Sequence, residues 1–526
     1  VNGEPAQPPR SRSAPFPHRE EGWGEGQPQT IALSLIAHTN VGKTTLARTL
    51  LDRDVGEVRD EPHVTGSAER YTMIETAQGD VLELWDTPGF GDSARLARRL
   101  AAMDRPIAAL LAMTWDRFRD RALWSSQQAV VNVRDEADVV LYLVNASESP
   151  GDAGYVEPEL RILEWIGKPV VALLNQTGPP REVDVEAADV ARWQNALREH
   201  ACIKGVLSLD AFARCWVQEG VLLREVAHVL PQAKLPAFAR VAAAWQAERN
   251  ARFTQSMTAI ATPIAQAACD HVTLPDEGLR GAAIDLGRIV GVSRARPNRA
   301  RTRAVRELSR HLDDAIREST DRLMVIHHLS GRAADEVLAR LAEDITTDLP
   351  WSERKAAVVG GFVSGALTGL AADLAAGGLT FGAGLLAGGI VGAMGGAGIA
   401  RGVNLVRGKT ESVARWSDEL LASLVPGAVL RYLAVAHYGR GRGDFAAGEH
   451  PRFWRDAVEA AVERQGGIGE IVALRGAKPC NAQAIERALA DKLEAIALDV
   501  LATLYPAADV TALRIESRSA DNGRPA

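Results

Sequence analysis

Ala37-His38-Thr39-Asn40-Val41-Gly42-Lys43-Thr44 closes a β-branched and aliphatic run, Thr30–Ala37, and opens a stretch with Leu46, Leu50 and Leu51 at helical spacing. A strand that ends in a glycine-containing loop and passes straight into a helix is the setting in which G-x-x-x-x-G-K-[ST] binds phosphate. Ala37 takes the place of the first glycine, a small change wherever the backbone needs no positive φ. In such a loop successive N–H groups wrap a β-phosphate, and the helix beyond presents its positive end. Lys43 is then placed to neutralise β- and γ-oxygens, and the Thr44 hydroxyl to ligate Mg²⁺. His38, Thr39, Asn40, Val41, Gly42 and Thr45 complete the nucleotide contacts expected of this loop.

Outward from the loop, residues 70–76 and 80–85 alternate around Gly79 as a hairpin. Residues 138–145 and 169–175 are nearly continuous apolar runs, as in strands buried on both faces of a sheet. Helical patterns lie between and after them, at 157–166 and 185–199. Strands alternating with helices predict an α/β domain with a mostly parallel sheet over residues 29–231. The second hairpin strand closes with Asp86-Thr87-Pro88-Gly89, a D-x-x-G in which Asp86 is expected to hold Mg²⁺ and the Gly89 N–H to sense a γ-phosphate. Thr65 lies between the two motifs, where a switch loop needs a hydroxyl to complete the metal shell. Lys43, Thr65 and Gly89 are thus the expected catalytic groups, and Thr44, Thr65 and Asp86 the expected Mg²⁺ set.

The loop A-H-T-N-V-G-K-T together with D-T-P-G-F resembles the Era and TrmE group of P-loop GTPases over roughly residues 30–230. The whole chain resembles a bacterial family in which such a domain precedes a C-terminal helical domain of unknown function. The resemblance implies GTP and GDP as ligands. It also implies K⁺ at Asn40, the loop asparagine that helps bind that ion in potassium-activated members. Phe90 follows the D-x-x-G where switch proteins have a catalytic glutamine, so slow turnover is expected. The guanine-reading N-K-x-D is here Asn175-Gln176-Thr177-Gly178: the asparagine is kept, and a glycine replaces the aspartate that pairs with guanine. Losing a matched polar group weakens discrimination between bases. The last base-contacting motif is reduced to Ser208-Leu209, followed by Asp210.

Between Gly89 and the strand at 138 lies an insertion, at about 92–135, with amphipathic patterns and Trp115 and Trp124. It reads either as a moving surface driven by the γ-phosphate sensor or as a passive helical layer on the sheet. Residues 232–526 carry helical patterns rich in Ala, Arg and Glu and are expected to be all-α, interrupted by an apolar, glycine-rich segment at 356–400 with Asp373 as its one charge. Basic residues flank that segment (Arg354, Lys355, Arg401, Arg407), and Gly361-x-x-x-Gly365-x-x-x-Gly369 and Gly384-x-x-x-Gly388-x-x-x-Gly392 suit close helix contact. Membrane hairpin and buried core hairpin are both consistent with its length.

A net charge of −7 gives no global sign of nucleic-acid binding, and the arginine run at 294–310 lacks the interleaved aromatics of an RNA surface. RNA or ribosome binding, a property of several relatives, is therefore not indicated by the residues. The four cysteines show no patterned spacing, so reduced thiols are expected, and residues 1–28 read as a disordered tail with no secretory core. The expectation is a cytoplasmic GTPase switch associated with the inner membrane, meeting lipid or a second copy of itself. The rival is a nucleotide-binding scaffold with little turnover whose helical half does the work.

Overall fold

The computed structural model describes residues 27–52, 68–112, 121–177, 181–211, 215–274, 299–329, 403–407, 412–438, 452–476, 479–508 and 510. The tail up to residue 26, Thr65, Trp115, Gly178, residues 294–298 of the arginine run and the apolar segment 356–400 lie outside them.

Six strands form one sheet in the order β2-β3-β1-β4-β5-β6. They are β1 (Thr30–Ala37), β2 (Glu69–Glu75), β3 (Val81–Asp86), β4 (Val139–Asn145), β5 (Val170–Asn175) and β6 (Ile203–Ser208). Only the edge strand β2 runs antiparallel to its neighbour. The apolar runs of β1, β4 and β5 are explained by burial on both faces, with alternate residues entering different cores. Leu33, Leu35, Leu141, Leu143 and Leu173 join the core that also holds residues of α1 (Lys43–Leu51) and α7 (Trp216–Val229). Ile36, Val140, Tyr142, Ala172 and Leu174 join the other core. The parallel order places the C-terminal ends of β1, β3, β4, β5 and β6 along one rim, where ligands of open α/β sheets bind.

The insertion forms α2 (Ser93–Ala101), α3 (Pro106–Ala112) and α4 (Arg121–Asp135). Leu96, Leu100, Leu110, Leu123, Val130 and Val133 bury in the second core together with residues of α5 (Val156–Ile166) and Trp193 of α6 (Val183–Leu197). Polar contacts pin the layer as well: Ser34 Oγ donates to Asn132 Oδ1 at 2.8 Å, and Gln127 Nε2 to the Leu110 carbonyl at 2.7 Å.

The C-terminal half is helical, as the composition predicts. Its organiser is α8 (Leu235–Cys269), 35 residues and thus about 50 Å long, which packs most extensively on α13 (Ala482–Leu504) and α9 (Arg299–Ile326). Pro263 inside α8 has no N–H for the Ala259 carbonyl; Ser319 Oγ of α9 takes that role, donating to it at 2.6 Å. Three further helices, α10 (Asp418–Ala436), α11 (Arg452–Arg464) and α12 (Gly469–Ala473), complete the layer. The first core runs without a break from the sheet through α8 into α10 and α13.

Three features lie beyond the sequence reading. A small antiparallel sheet, order β7-β9-β8, joins β7 (His271–Leu274), β8 (Val403–Arg407) and β9 (Ser412–Trp416). Strands of four or five residues are too short for alternation to separate them from a helical background. Second, the expectation of reduced thiols fails for one pair: Cys269, ending α8, and Cys480, before α13, are joined in a disulfide across 211 residues. Partners that distant leave no spacing signature. Cys202 and Cys215 are free and buried. Third, one helix among the described residues, α10, is long and apolar enough to cross a membrane, and 61% of its apolar window is packed inside the protein.

Candidate nucleotide site

The loop between β1 and α1 owes its shape to two positive-φ residues, Asn40 (φ 66) and Gly42 (φ 94). A Cβ on Gly42 would lie 2.7 Å from Asn175 Nδ2, so only glycine satisfies both backbone and neighbour. Ala37 ends β1 fully buried, and its carbonyl accepts from the Phe90 N–H at 2.9 Å. The Thr39 N–H returns a bond to the Phe90 carbonyl at 3.2 Å, and Thr39 Oγ1 reaches the same oxygen at 3.2 Å. The phosphate loop and the D-x-x-G segment are therefore stitched together through the backbone.

Lys43 starts α1 with 8% exposure, and its Nζ lies 3.4 Å from the His38 carbonyl. Burial lowers the ammonium pKa, while Asp86 and Glu159 push it back up. Gly89 abuts this group: a Cβ there would sit 2.8 Å from Lys43 Nζ and 3.1 Å from Thr39 Cα, so a side chain would displace the ammonium and press on the loop backbone. Thr45, one turn into the helix axis from the loop, is buried.

Thr44 Oγ1 donates to Asp86 Oδ2 at 2.6 Å. Asp86 is 1% exposed, and its other oxygen, Oδ1, is buried with no hydrogen-bond partner among the described residues. Burial raises the Asp86 pKa to about 6, against the Thr44 hydrogen bond and the charge of Lys43. A buried hard oxygen without a partner, next to a hydroxyl and beside a phosphate loop, fits a hydrated Mg²⁺.

The base end is assembled from the ends of β5 and β6. Asn175 is fully buried, donating Nδ2 to the Val41 carbonyl at 2.7 Å and accepting from the Ala211 N–H at 2.9 Å. Gln176, at φ 58, points Nε2 to the Asn40 carbonyl at 3.4 Å. Ser208 ends β6 opposite Leu174. Asp210, 4% exposed, accepts through Oδ2 from the Thr177 N–H at 2.7 Å and the Thr177 hydroxyl at 3.0 Å. The carboxylate after β6 thus holds the turn in which the base-reading aspartate is missing.

The structure brings Lys43, Thr44, Asp86 and Gly89 together at the phosphate end, and Asn175, Gln176 and Ser208 at the base end. Phe90 is fully buried in the second core.

One group escaped the sequence reading. Glu159 of α5 is fully buried beneath the loop, 2.8 Å from His38 Nδ1 and accepting from Tyr142 OH at 2.9 Å. The His38 ring also stacks on Tyr155, centroids 4.7 Å apart. Burial raises the Glu159 pKa, and His38 opposes the rise. The signal was available: Glu159 shares the apolar stripe of Val156, Leu160 and Leu163, where a solvated acid does not belong.

A family model described as 50S ribosome-binding GTPase matches residues 33–176, so this part of the chain is a GTP-binding P-loop GTPase domain. A second model, described as a domain of unknown function (DUF3482), matches residues 199–467. No curated protein matches the chain. Solved structures with similarity include an Aquifex aeolicus Era variant bound to GDP·AlF4⁻, at 16% identity and TM-score 0.27, over 39% of this chain and 57% of that one. Era in complex with MgGDPNP and a segment of 16S ribosomal RNA gives 16% identity and TM-score 0.29, over 39% and 58%. A bacterial selenocysteine-specific elongation factor gives 15% and 0.25, over 38% and 28%. The chain thus spans under three fifths of the length of these proteins, and likeness at this level carries neither substrate nor partner across.

Proposed function

The chain belongs to the DUF3482 family, whose model covers more than half of it, and from that premise we propose that it is a Mg²⁺-dependent GTP hydrolase in which the helical half responds to a nucleotide held by the α/β half. The observation that carries this reading is the Thr44–Asp86 pair, in which Asp86 Oδ1 has no hydrogen-bond partner among the described residues, set against a buried Lys43 that packs on Gly89.

On this reading Lys43 meets the β/γ-oxygens, and α1 directs its N–H groups at the same charge. Thr44 and Asp86 would hold Mg²⁺, which neutralises charge developing between the phosphates. Gly89 brings its N–H to the γ-phosphate, and movement there passes to Phe90, whose backbone is bonded to Ala37 and Thr39. Thr65 supplies the remaining switch hydroxyl. Asn40, exposed at the loop crest, is the proposed K⁺ ligand, in place of the water-positioning that Phe90 cannot provide. Single-turnover hydrolysis is expected to be faster in KCl than in NaCl at equal ionic strength. Cleavage in neither salt would leave a nucleotide-binding scaffold.

Association with the inner membrane belongs to the same proposal. It is supported by the composition of residues 356–400 and their basic flanks. Full-length protein is expected to stay with the membrane fraction through a carbonate wash; complete release into the soluble fraction would refute insertion. A homodimer would be the natural way to complete a site lacking a catalytic glutamine. The ribosome, named in the description of the matched GTPase model, is the other partner class considered, and no described surface points to it.

A further inference from the structure

The helix that carries the phosphate-binding lysine is held at both ends. Lys43 and Thr44 open α1, and Asp52 caps its C-terminus in the left-handed region at φ 54. From Asp52 the chain enters residues 53–67, the stretch that contains Thr65. A non-glycine residue in that region persists where its surroundings over-determine it.

What surrounds Asp52 is α8. Arg249 Nη1 donates to Asp52 Oδ2 at 2.7 Å, and Arg252 Nη1 reaches the same oxygen. Each arginine has a second acid: Arg249 Nη2 meets Glu219 of α7 at 3.1 Å, and Arg252 Nη2 meets Glu248 at 3.1 Å. The two guanidinium side chains are 9% and 12% exposed, so their pairs with Asp52 and Glu219 are largely shielded from solvent, whereas Glu248 lies at the surface. Thr49 Oγ1 ties the same turn of α1 to the Ala211 carbonyl at 2.9 Å, on the loop that also receives Asn175. The joint borders a water-sized cavity of about 30 Å³ to which His327 and Tyr438 also contribute.

We propose that Arg249 and Arg252 grip the C-terminal end of α1 through Asp52 and so set the rate at which nucleotide leaves the site, making the helical half a regulator in cis. The inference rests on the nucleotide-binding reading above. α1 spans nine residues, about 13 Å, and transmits a displacement at Asp52 to Lys43 and Thr44 as a rigid rod. Two other ion pairs join α8 and its leading turn to the α/β half without touching α1. Lys234 meets Asp138 at 2.5 Å, and Arg240 forks onto Asp80 at 2.6 and 3.0 Å. They hold the halves together but bear on strand ends and the hairpin turn, which makes them natural controls.

The test is release of a fluorescent mant-GDP from the full-length protein. Asp52→Asn keeps a side chain that tolerates positive φ and removes only the charge. Asp52→Asn and Arg252→Gln are each expected to speed release by about 3- to 30-fold, the range of coupling changes along contact networks. The double variant should release no faster than the quicker single one, Arg252→Lys should recover part of the loss, and Arg240→Gln should release like the parent. Melting followed by circular dichroism checks each fold, and Arg252→Gln carries the test if Asp52→Asn does not fold. Parent-like release in the Asp52 and Arg252 variants overturns the proposal alone, as does equal acceleration in Arg240→Gln, which would mean general loosening of the halves. Failure of the parent to retain mant-GDP overturns the nucleotide reading, and the proposal falls with it.

Discussion

Lys43→Ala protein is expected to cleave GTP at least about 100-fold more slowly than the parent, the scale on which a single charge-stabilising donor acts at a transition state. The position explains the size. Lys43 is 8% exposed and closely packed against Gly89, with its ammonium near the His38 carbonyl. No other lysine or arginine is shown contacting this part of the loop among the described residues, so alanine leaves the β/γ-oxygens without their cation. The substitution also strips a positive charge from between two buried acids, Asp86 and Glu159, both of which interact with it. Nucleotide-free Lys43→Ala should therefore melt below the parent as well. Lys43→Arg is not expected to rescue cleavage fully, because a planar guanidinium does not reproduce the compact point charge of an ammonium packed between Gly89 and the His38 carbonyl. Single-turnover hydrolysis and thermal melting read the two effects separately, and parent-like cleavage would refute the assigned role.

In metal-free protein the stability contributed by Asp86 is expected to grow as pH falls from 7 to 5, while the buried His327 and His437, lowered to about 3 and about 4, act in the opposite direction over the same range. Burial places the Asp86 pKa at about 6 in the folded chain, against about 3.9 when unfolded. Between those values the folded state holds a proton that the unfolded state has released. Stability from this group therefore declines as pH rises through the window and is fully lost above the folded pKa. Two pK units correspond to about 2–3 kcal/mol once pH lies below the unfolded value, and roughly half of that accrues between pH 7 and 5. Asp86→Asn should lose this contribution, so that it gains less, or loses more, than the parent on acidification; saturating Mg²⁺ with nucleotide should reverse the cost, since a cation at Oδ1 favours the carboxylate. Glu159, also raised by burial, adds a contribution of the same sign, so the difference between parent and Asp86→Asn is the informative quantity. Identical slopes in chelator would contradict the account of the orphaned oxygen.

Local sequence carried most of the phosphate end. Strand, loop and helix are contiguous between Thr30 and Leu51, so pattern and chemistry coincide, and D-T-P-G sits where a hairpin strand must end. The sheet was legible because burial on both faces writes continuous apolar runs into β4 and β5. What escaped was long-range. Glu159 lies 121 residues from His38, Arg249 lies 197 from Asp52, and Cys269 lies 211 from Cys480. Such pairings depend on how α5, α8 and α13 pack, and no local periodicity encodes a partner. The same reason hid the continuity of the core across residue 231, where composition changes while the hydrophobic contacts of α7 and α8 do not stop. At the base end the sequence showed a loss, Gly178 for aspartate. The structure adds where a carboxylate does lie, with Asp210 bound to Thr177 beside that turn.

Displacement of a fluorescent GTP analogue from the chain by GTP, ATP, ITP and XTP measures the guanine preference directly. GTP should compete at the lowest concentration, with ATP needing at least about tenfold more, because guanine presents an acceptor at position 6 and a donor at N1 where adenine presents a donor and an acceptor. Equal displacement by ATP and GTP, or displacement by neither, would contradict a guanine-nucleotide switch built on the loop from Ala37 to Thr44.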